Sequence, residues 1–399
     1  MAPQPHSASS QRHTDLPNGS CAFLAIITFC AFTLCTGLSA EQLPTKTYTV
    51  SNGLPRNDIN RIVRDSHGFL WFCTVEGLSR FDGYTFTNYG VKQGMPDRDV
   101  RDLIETRSGE YWVATHNGLA RFNPNGSPEG LPRELKSRSG KETATDPRFI
   151  TYKTDWNSEA RHVMTLLEDR DGSVWCGTAG GLCRLQKVGS EWHLRVVDLG
   201  VPEFSQSNSV TALLQDKTNA LWIGTWDGLH RRWPDGRLEH FGGQNGLPSQ
   251  GEHPLRSLLE DHDGRIWVGT SQGLFLLPAQ PDPRQSVVVN TFSIRQGLPD
   301  NGVFSLLLSG EKIWVGTETG LAEISSAHQG QGWAIKAYPS LRVESGRSRR
   351  IAKETYGWAL NTARPDWRVV ALLPTPQTTA LKAREESIPS WKTKPAVCA

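Results

Sequence analysis

Apolar and polar positions alternate along this chain in runs of four to eight residues, each closed by Gly, Asp, Asn or Pro. One block shows the pattern. Asp58 to Asp65 reads D-I-N-R-I-V-R-D, with Ile59, Ile62 and Val63 apolar, and Ser66-His67-Gly68 forms a turn. Phe69 to Thr74 is a β-rich apolar run, and Val75-Glu76-Gly77 is the next turn. Leu78 to Phe81 follows, then Asp82-Gly83, a strong hairpin signal, then Tyr84 to Tyr89 with aromatic and Thr residues alternating. Runs this short, with a period near two, predict β-strands. Four strands meandering in one unit predict a propeller blade.

The block recurs. Trp71-Phe-Cys-Thr74 has counterparts at Trp112–Thr115, Trp175–Thr178, Trp222–Thr225, Trp267–Thr270 and Trp314–Thr317, each followed by Gly-Leu. A recurrence of about 45 residues is the mark of a repeated supersecondary unit. The expected fold is all-β, a β-propeller of four-stranded blades, with six clear blades and a degenerate seventh. Gly68, Gly172 and Gly264 are expected to take positive φ in the first turn. Each Trp should fill the wedge between blades. The Gly after each turn should be left-handed, and the Leu after it should pack inward. Pro124–Pro147, rich in Pro, Gly and basic residues, reads as a loop inserted in the second blade.

Lys46–Val50, ahead of Gly53-Leu54-Pro55, resembles the outer strand Thr291–Ile294 ahead of Gly297-Leu298-Pro299. The sixth blade has its own outer strand in Trp333–Tyr338. Lys46–Val50 is therefore an orphan, expected to join strands from the C-terminus and so remove a sheet edge. The C-terminus offers Trp358 in register and Asp366–Leu373 as a strand. It lacks the repeat phrases, however, and Arg347, Arg349, Arg350 and Lys353 crowd the first-strand position. The expected organisation is a signal peptide over 1–40, the propeller over 46–340, and a degenerate seventh blade or a tail over 341–399.

The 43 basic and 41 acidic residues give a net charge of +2, no argument for nucleic acid. Cys21–Leu38 is an uncharged, mostly apolar run followed by small residues, as in a secretory signal peptide cleaved near Ala40, with an uncleaved anchor as the alternative. Cys73, Cys176, Cys183 and Cys398 follow it and form no disulfide framework. With Thr178 opposite Leu182, Cys176 would face Arg184 and Cys183 would face Gly177, on opposite sides of the sheet, so no bridge is expected.

The phrase Gly-Leu-Pro, then Asp-x-x-Gly-x-(Leu/Ile/Val)-Trp-(Ile/Val)-Gly-Thr-x-x-Gly-Leu, resembles the two-component regulator propeller repeat over residues 46–340, with Gly246–Leu274 and Gly297–Leu321 nearest to it. The resemblance implies an extracytoplasmic sensory-input propeller of bacterial signalling proteins. Such proteins usually continue into a further β-domain, a membrane helix and a kinase or similar output. No kinase motif is placed in this chain, so only the input module is expected.

Asp169-Arg-Asp171-Gly172 and Asp261-His-Asp263-Gly264 hint at calcium loops, but position twelve is Gly180 or Gln272 instead of Glu. No metal site or cofactor is expected. In a meander, the turn between strands two and three and the loop leading into the next first strand share one face. The expected ligand site is that channel mouth: Arg56, Asn57, Glu76, Asp97, Arg98, His116, Asn208, Trp226, Asp227, Gln272, Asn301 and Glu318. Polar groups with one Trp suit a small molecule, glycan or peptide. A membrane signalling protein is the expected protein partner. The alternative is a propeller lyase or hydrolase, with His116 or His253 as base beside Glu76, Asp227 or Glu318.

Overall fold

The computed structural model describes residues 45–126, 147–153, 158–189, 191–200, 208–248, 254–326, 332–338, 358–360 and 369–372. Six four-stranded antiparallel sheets, each a plain meander, follow one another. Blade 1 is Ile59–Arg64, Leu70–Thr74, Gly77–Phe81 and Phe86–Tyr89. Blade 6 is Val303–Ser309, Lys312–Thr317, Leu321–Ser326 and Trp333–Tyr338. The first strands of consecutive blades pack side by side from blade 1 to blade 6, as the inner strands of a six-bladed propeller do. Strand Thr45–Tyr48 pairs antiparallel with Val369–Leu372, which pairs with Trp358–Leu360. The chain's two ends thus make a separate three-stranded sheet. In blade 2 the third and fourth strands still pair, Phe122 with Phe149, across the inserted segment. Residues 1–44, where a signal peptide is expected, and most of that insertion lie outside the described residues, as does most of 341–399. Among the described residues no helix is long and apolar enough to cross a membrane.

The Trp of each of the first five repeats faces the following blade. Trp71 meets Tyr111 and Phe122 of blade 2, at 5.7 and 5.5 Å between ring centres. Trp267 lies edge-on to Trp333 of blade 6. Trp71, Trp112, Trp175, Trp222 and Trp267 are all buried. Trp314 of blade 6 is half-buried, and no further four-stranded blade is described after it.

The Asp at the first turn holds that Trp. Asp216 accepts N–H bonds from Thr218 and Ala220 at 2.8 and 3.0 Å, and its other oxygen accepts the Trp222 indole N–H at 2.7 Å. Asp65, Asp169 and Asp261 repeat this latch on Trp71, Trp175 and Trp267. Asp169-Arg-Asp171 and Asp261-His-Asp263 are accordingly turn locks. Blade 2 has Thr106 at this place, and the buried Trp112 indole N–H has no hydrogen-bond partner among the described residues. The next residue reaches across to the following blade. The backbone N–H groups of Ser66, Arg107, Arg170 and Lys217 donate to Glu105, Glu168, Gln215 and Glu260. The Arg170 guanidinium adds bonds to Asp216 C=O and Asn219, and the Lys217 ammonium to Asp261 and His262 C=O.

At the second turn, the Thr of every repeat donates its hydroxyl to the Gly carbonyl three residues on, as Thr178 does to Gly181 at 2.8 Å. Five of these glycines have φ between 125° and 143°, positive but beyond the left-handed helical region expected for them; Gly320 has no positive φ. A Cβ on Gly228 would lie 2.7 Å from Phe241 C=O, so the turn presses on the outer strand.

This two-residue turn corrects the cysteine register. Thr178 pairs with Gly181, not Leu182, which puts Cys176 directly opposite Cys183. The two thiols are therefore neighbours on one face. Both are unbridged and fully buried in the core shared by blades 2 and 3. Burial pushes the Cys183 thiol up to about 12 and raises Cys176 well above its ordinary value.

Candidate functional site

The second-turn residues and the loops leading into first strands meet on one face, opposite the Asp latches. Within a blade, His116 N–H donates to Asp99 C=O at 3.1 Å, Ala179 N–H to His162 C=O at 2.9 Å and Glu318 N–H to Gly302 C=O at 3.0 Å. Between blades, Arg98 reaches Glu76 at 3.3 Å, and the His116 ring lies 4.2 Å from the His162 ring.

The residues expected to bind ligand fall into three groups. Some fix their own loops. Asn57 Oδ1 accepts the Val50 N–H and Asn301 Oδ1 accepts the Ile294 N–H, the same seven-residue reach in two blades. Asp97 closes its turn on the Asp99 N–H, and Arg56 pairs with Asp58. Others are linked around the rim: Glu76 with Arg98, and His116 with His162. The remainder line the face. Trp226 and Asp227 are half-buried, Gln272 is exposed, and none of the three makes a side-chain hydrogen bond among the described residues. Glu318 is half-buried with its carboxylate over Gly302. Asn208 is buried. The second candidate base, His253, lies outside the described residues.

The pairings bear on chemistry. Glu76 meets Arg98, and His116 meets another imidazole, so neither forms the His–carboxylate couple a general base needs. No group of three or more His, Cys, Asp or Glu among the described residues is arranged to hold a metal ion.

Two polar links beneath this face escaped the sequence reading. Asn60 of blade 1 donates to Val100 C=O at 2.7 Å and to Asp99 at 3.1 Å. Arg61 bonds Asp102 of blade 2 at 2.7 Å, and the same Asp102 oxygen accepts the Leu166 N–H of blade 3 at 2.9 Å. Asp102 is fully buried, and its carboxylate accepts from the Arg61 guanidinium and from the Leu103 and Leu166 N–H groups, joining three blades. Their only sequence signal is a polar residue inside a first strand whose register carries a bulge.

Comparison with known proteins agrees with the repeat. The family described as two component regulator propeller matches residues 53–76, 205–227 and 249–272, the phrases around Trp71, Trp222 and Trp267. Three of the six repeats thus match that family's repeat model. No curated protein matches the sequence at a significant level. Among solved structures, the extracellular domain of a protein described as a hybrid two component system of B. thetaiotaomicron aligns with a TM-score of 0.63 and 17% identity, covering 88% of this chain and 46% of that one. A second extracellular domain from that organism, described as a one component system, aligns at 0.60 with 21% identity, over 83% of this chain and 40% of that one. The chain thus spans less than half of these relatives. Virginiamycin B lyase from Staphylococcus aureus also aligns at 0.60, with 12% identity, over 84% of this chain and all of the lyase. Identities this low establish a shared propeller fold.

Proposed function

We propose that this chain is an extracytoplasmic sensor propeller that binds a small molecule, glycan or peptide at its mouth face. Its output partner is a membrane signalling protein of the two-component type. The observation that carries this reading is the division of labour on the mouth face. The Thr–Gly turns are locked identically in every blade, while the side chains they present differ: Glu76, His116, Trp226-Asp227, Gln272 and Glu318. A fixed frame with varied polar tips and one half-exposed indole is a recognition surface. Kinship with sensor propellers and fold likeness to extracellular domains support it.

The rival reading is catalysis. Engagement of Glu76 by Arg98, and of His116 by His162, favours binding over general-base chemistry. A thermal-shift screen of the purified chain against sugars, peptides and metabolites tests the proposal. A mouth ligand at a hundred times its Kd should stabilise the fold by about 2.7 kcal/mol. That stabilisation should vanish in Trp226→Ala and Gln272→Ala variants that retain the unliganded Tm. Ligands whose shifts survive both substitutions would place recognition elsewhere. Turnover of a bound compound that depends on His116 would establish the rival.

A further inference from the structure

The residue paired with the repeat Trp on the third strand is Arg in four blades: Arg80 opposite Trp71, Arg121 opposite Trp112, Arg184 opposite Trp175, Arg231 opposite Trp222. Three of these guanidiniums have a protein partner. Arg231 pairs with Glu239 on the outer strand, Arg184 bonds Ser173 at 2.7 Å, and Arg121 lies 3.9 Å from Glu110. Arg80 has lost both partner positions. Phe69 stands where Glu110 and Ser173 stand in blades 2 and 3, and Thr87 stands where Glu239 stands in blade 4. Its guanidinium lies 4.5 Å from the centre of the Phe69 ring. Its Nε is buried without a hydrogen bond, and Arg80 forms no ion pair among the described residues.

Arg80 also lines a cleft of about 480 Å³ between blades 1 and 2, with Phe69, Tyr111, Arg121, Glu110 and Asn123 among its walls. The cleft adjoins the first-turn latches, on the face opposite the mouth. Its two acidic groups are already engaged. Asp65 accepts from two backbone N–H groups, the Trp71 indole and the Tyr111 hydroxyl, and Glu110 faces Arg121. An unmatched cation therefore stands among aromatic walls. A guanidinium fork over an aromatic ring offers paired N–H donors to a planar anion.

We propose that this cleft binds a small organic carboxylate with a planar apolar body, its carboxylate taken by Arg80. This second site is independent of the mouth face. Ligand-observed NMR with benzoate as the probe tests it, with benzyl alcohol as the neutral analogue. Benzoate should bind and benzyl alcohol should not. Arg80→Gln should weaken benzoate by about tenfold or more, since it removes the charge and the fork. Thr87→Glu should weaken it similarly in a folded protein, by giving Arg80 the cross-strand acid that Arg231 has in Glu239. Gln272→Ala, on the mouth face, should leave benzoate affinity unchanged. Absence of benzoate binding, equal binding of benzyl alcohol, or wild-type affinity in a folded Thr87→Glu variant would each overturn the proposal. If Arg80→Gln fails to fold, Thr87→Glu decides alone.

Discussion

On the face of the first turns, four consecutive blades are tied to the next by one rule: an N–H after the turn residue donates to the side chain ending the neighbour's first strand. On the mouth face the side-chain links between blades differ from one another. One is an ion pair between Arg98 and Glu76, and another is a contact of two imidazoles. The first face spends its side chains on holding blades together. The second leaves Trp226, Asp227 and Gln272 without side-chain hydrogen bonds among the described residues. Under the proposed function, the inter-blade clasps and mouth-face recognition lie at opposite ends of the same strands, so either should change with little effect on the other.

The hardest test of that separation is a pair of substitutions. Asp216→Ala removes the acceptor for Thr218, Ala220 and the buried Trp222 indole. Bonds to a carboxylate, plus donors left stranded, should cost about 4 kcal/mol in urea unfolding. Gln272→Ala should cost roughly 0.5 kcal/mol or less. Comparable losses would dissolve the distinction between the faces.

His230 probes how far the mouth face shares the core's energetics. It is buried in blade 4 beside the Gly228 turn, and its ring lies 4.7 Å from that of His240. Burial, and then His240, push it down from 6.5 to about 4. As pH falls below 6.5 the unfolded chain takes the proton first. Stability is therefore full above that value, declines through the interval, and has lost the whole increment below about 4. The decline from this residue should approach roughly 3 kcal/mol, and His230→Leu should remove it. Unfolding curves at successive pH values that coincide for the two proteins would show that His230 is not held neutral.

The fold was legible because its determinants repeat. Trp, Thr and the two glycines of the second turn recur at fixed offsets, and the orphan Lys46–Val50 announced a pairing that Thr45–Tyr48 makes with Val369–Leu372. The cysteine register was misread because one residue in a hairpin turn moves every partner by one, and Thr178 closing on Gly181 is set by a hydroxyl bond that composition does not display. The mouth could be located from topology, but not the division within it. Asn57 and Asn301 look as available for a ligand as Gln272 does, until the chain seven residues earlier is found against them. Arg61–Asp102 and the Arg80 cleft depend on contacts between blades, where sequence spacing carries no signal.

A smaller effect separates the two parts of the inter-blade clasp. Arg170→Ala keeps the backbone bond to Gln215 and removes only the guanidinium's reach to Asp216 C=O and Asn219. Because the arginine is exposed, urea unfolding should register about 1 kcal/mol. A loss as large as that of Asp216→Ala would mean that the clasp, more than the latch, holds the first-turn face.

The finest test adds what one blade lacks. Blade 2 carries Thr106 where four others carry Asp, and its buried Trp112 indole N–H has no hydrogen-bond partner among the described residues. Thr106→Asp should supply the acceptor, at the position from which Asp65 and Asp216 reach their indoles. The gain should be about 1 kcal/mol, because a satisfied bond replaces a stranded donor while the carboxylate loses some hydration. Raised stability, with the indole N–H resonance of Trp112 moving to a hydrogen-bonded position, would show that the latch is a transferable part. A neutral or destabilising result would mean that the four Asp–Trp latches depend on their own blades' surroundings, and that the order of the first-turn face is less modular than its repetition suggests.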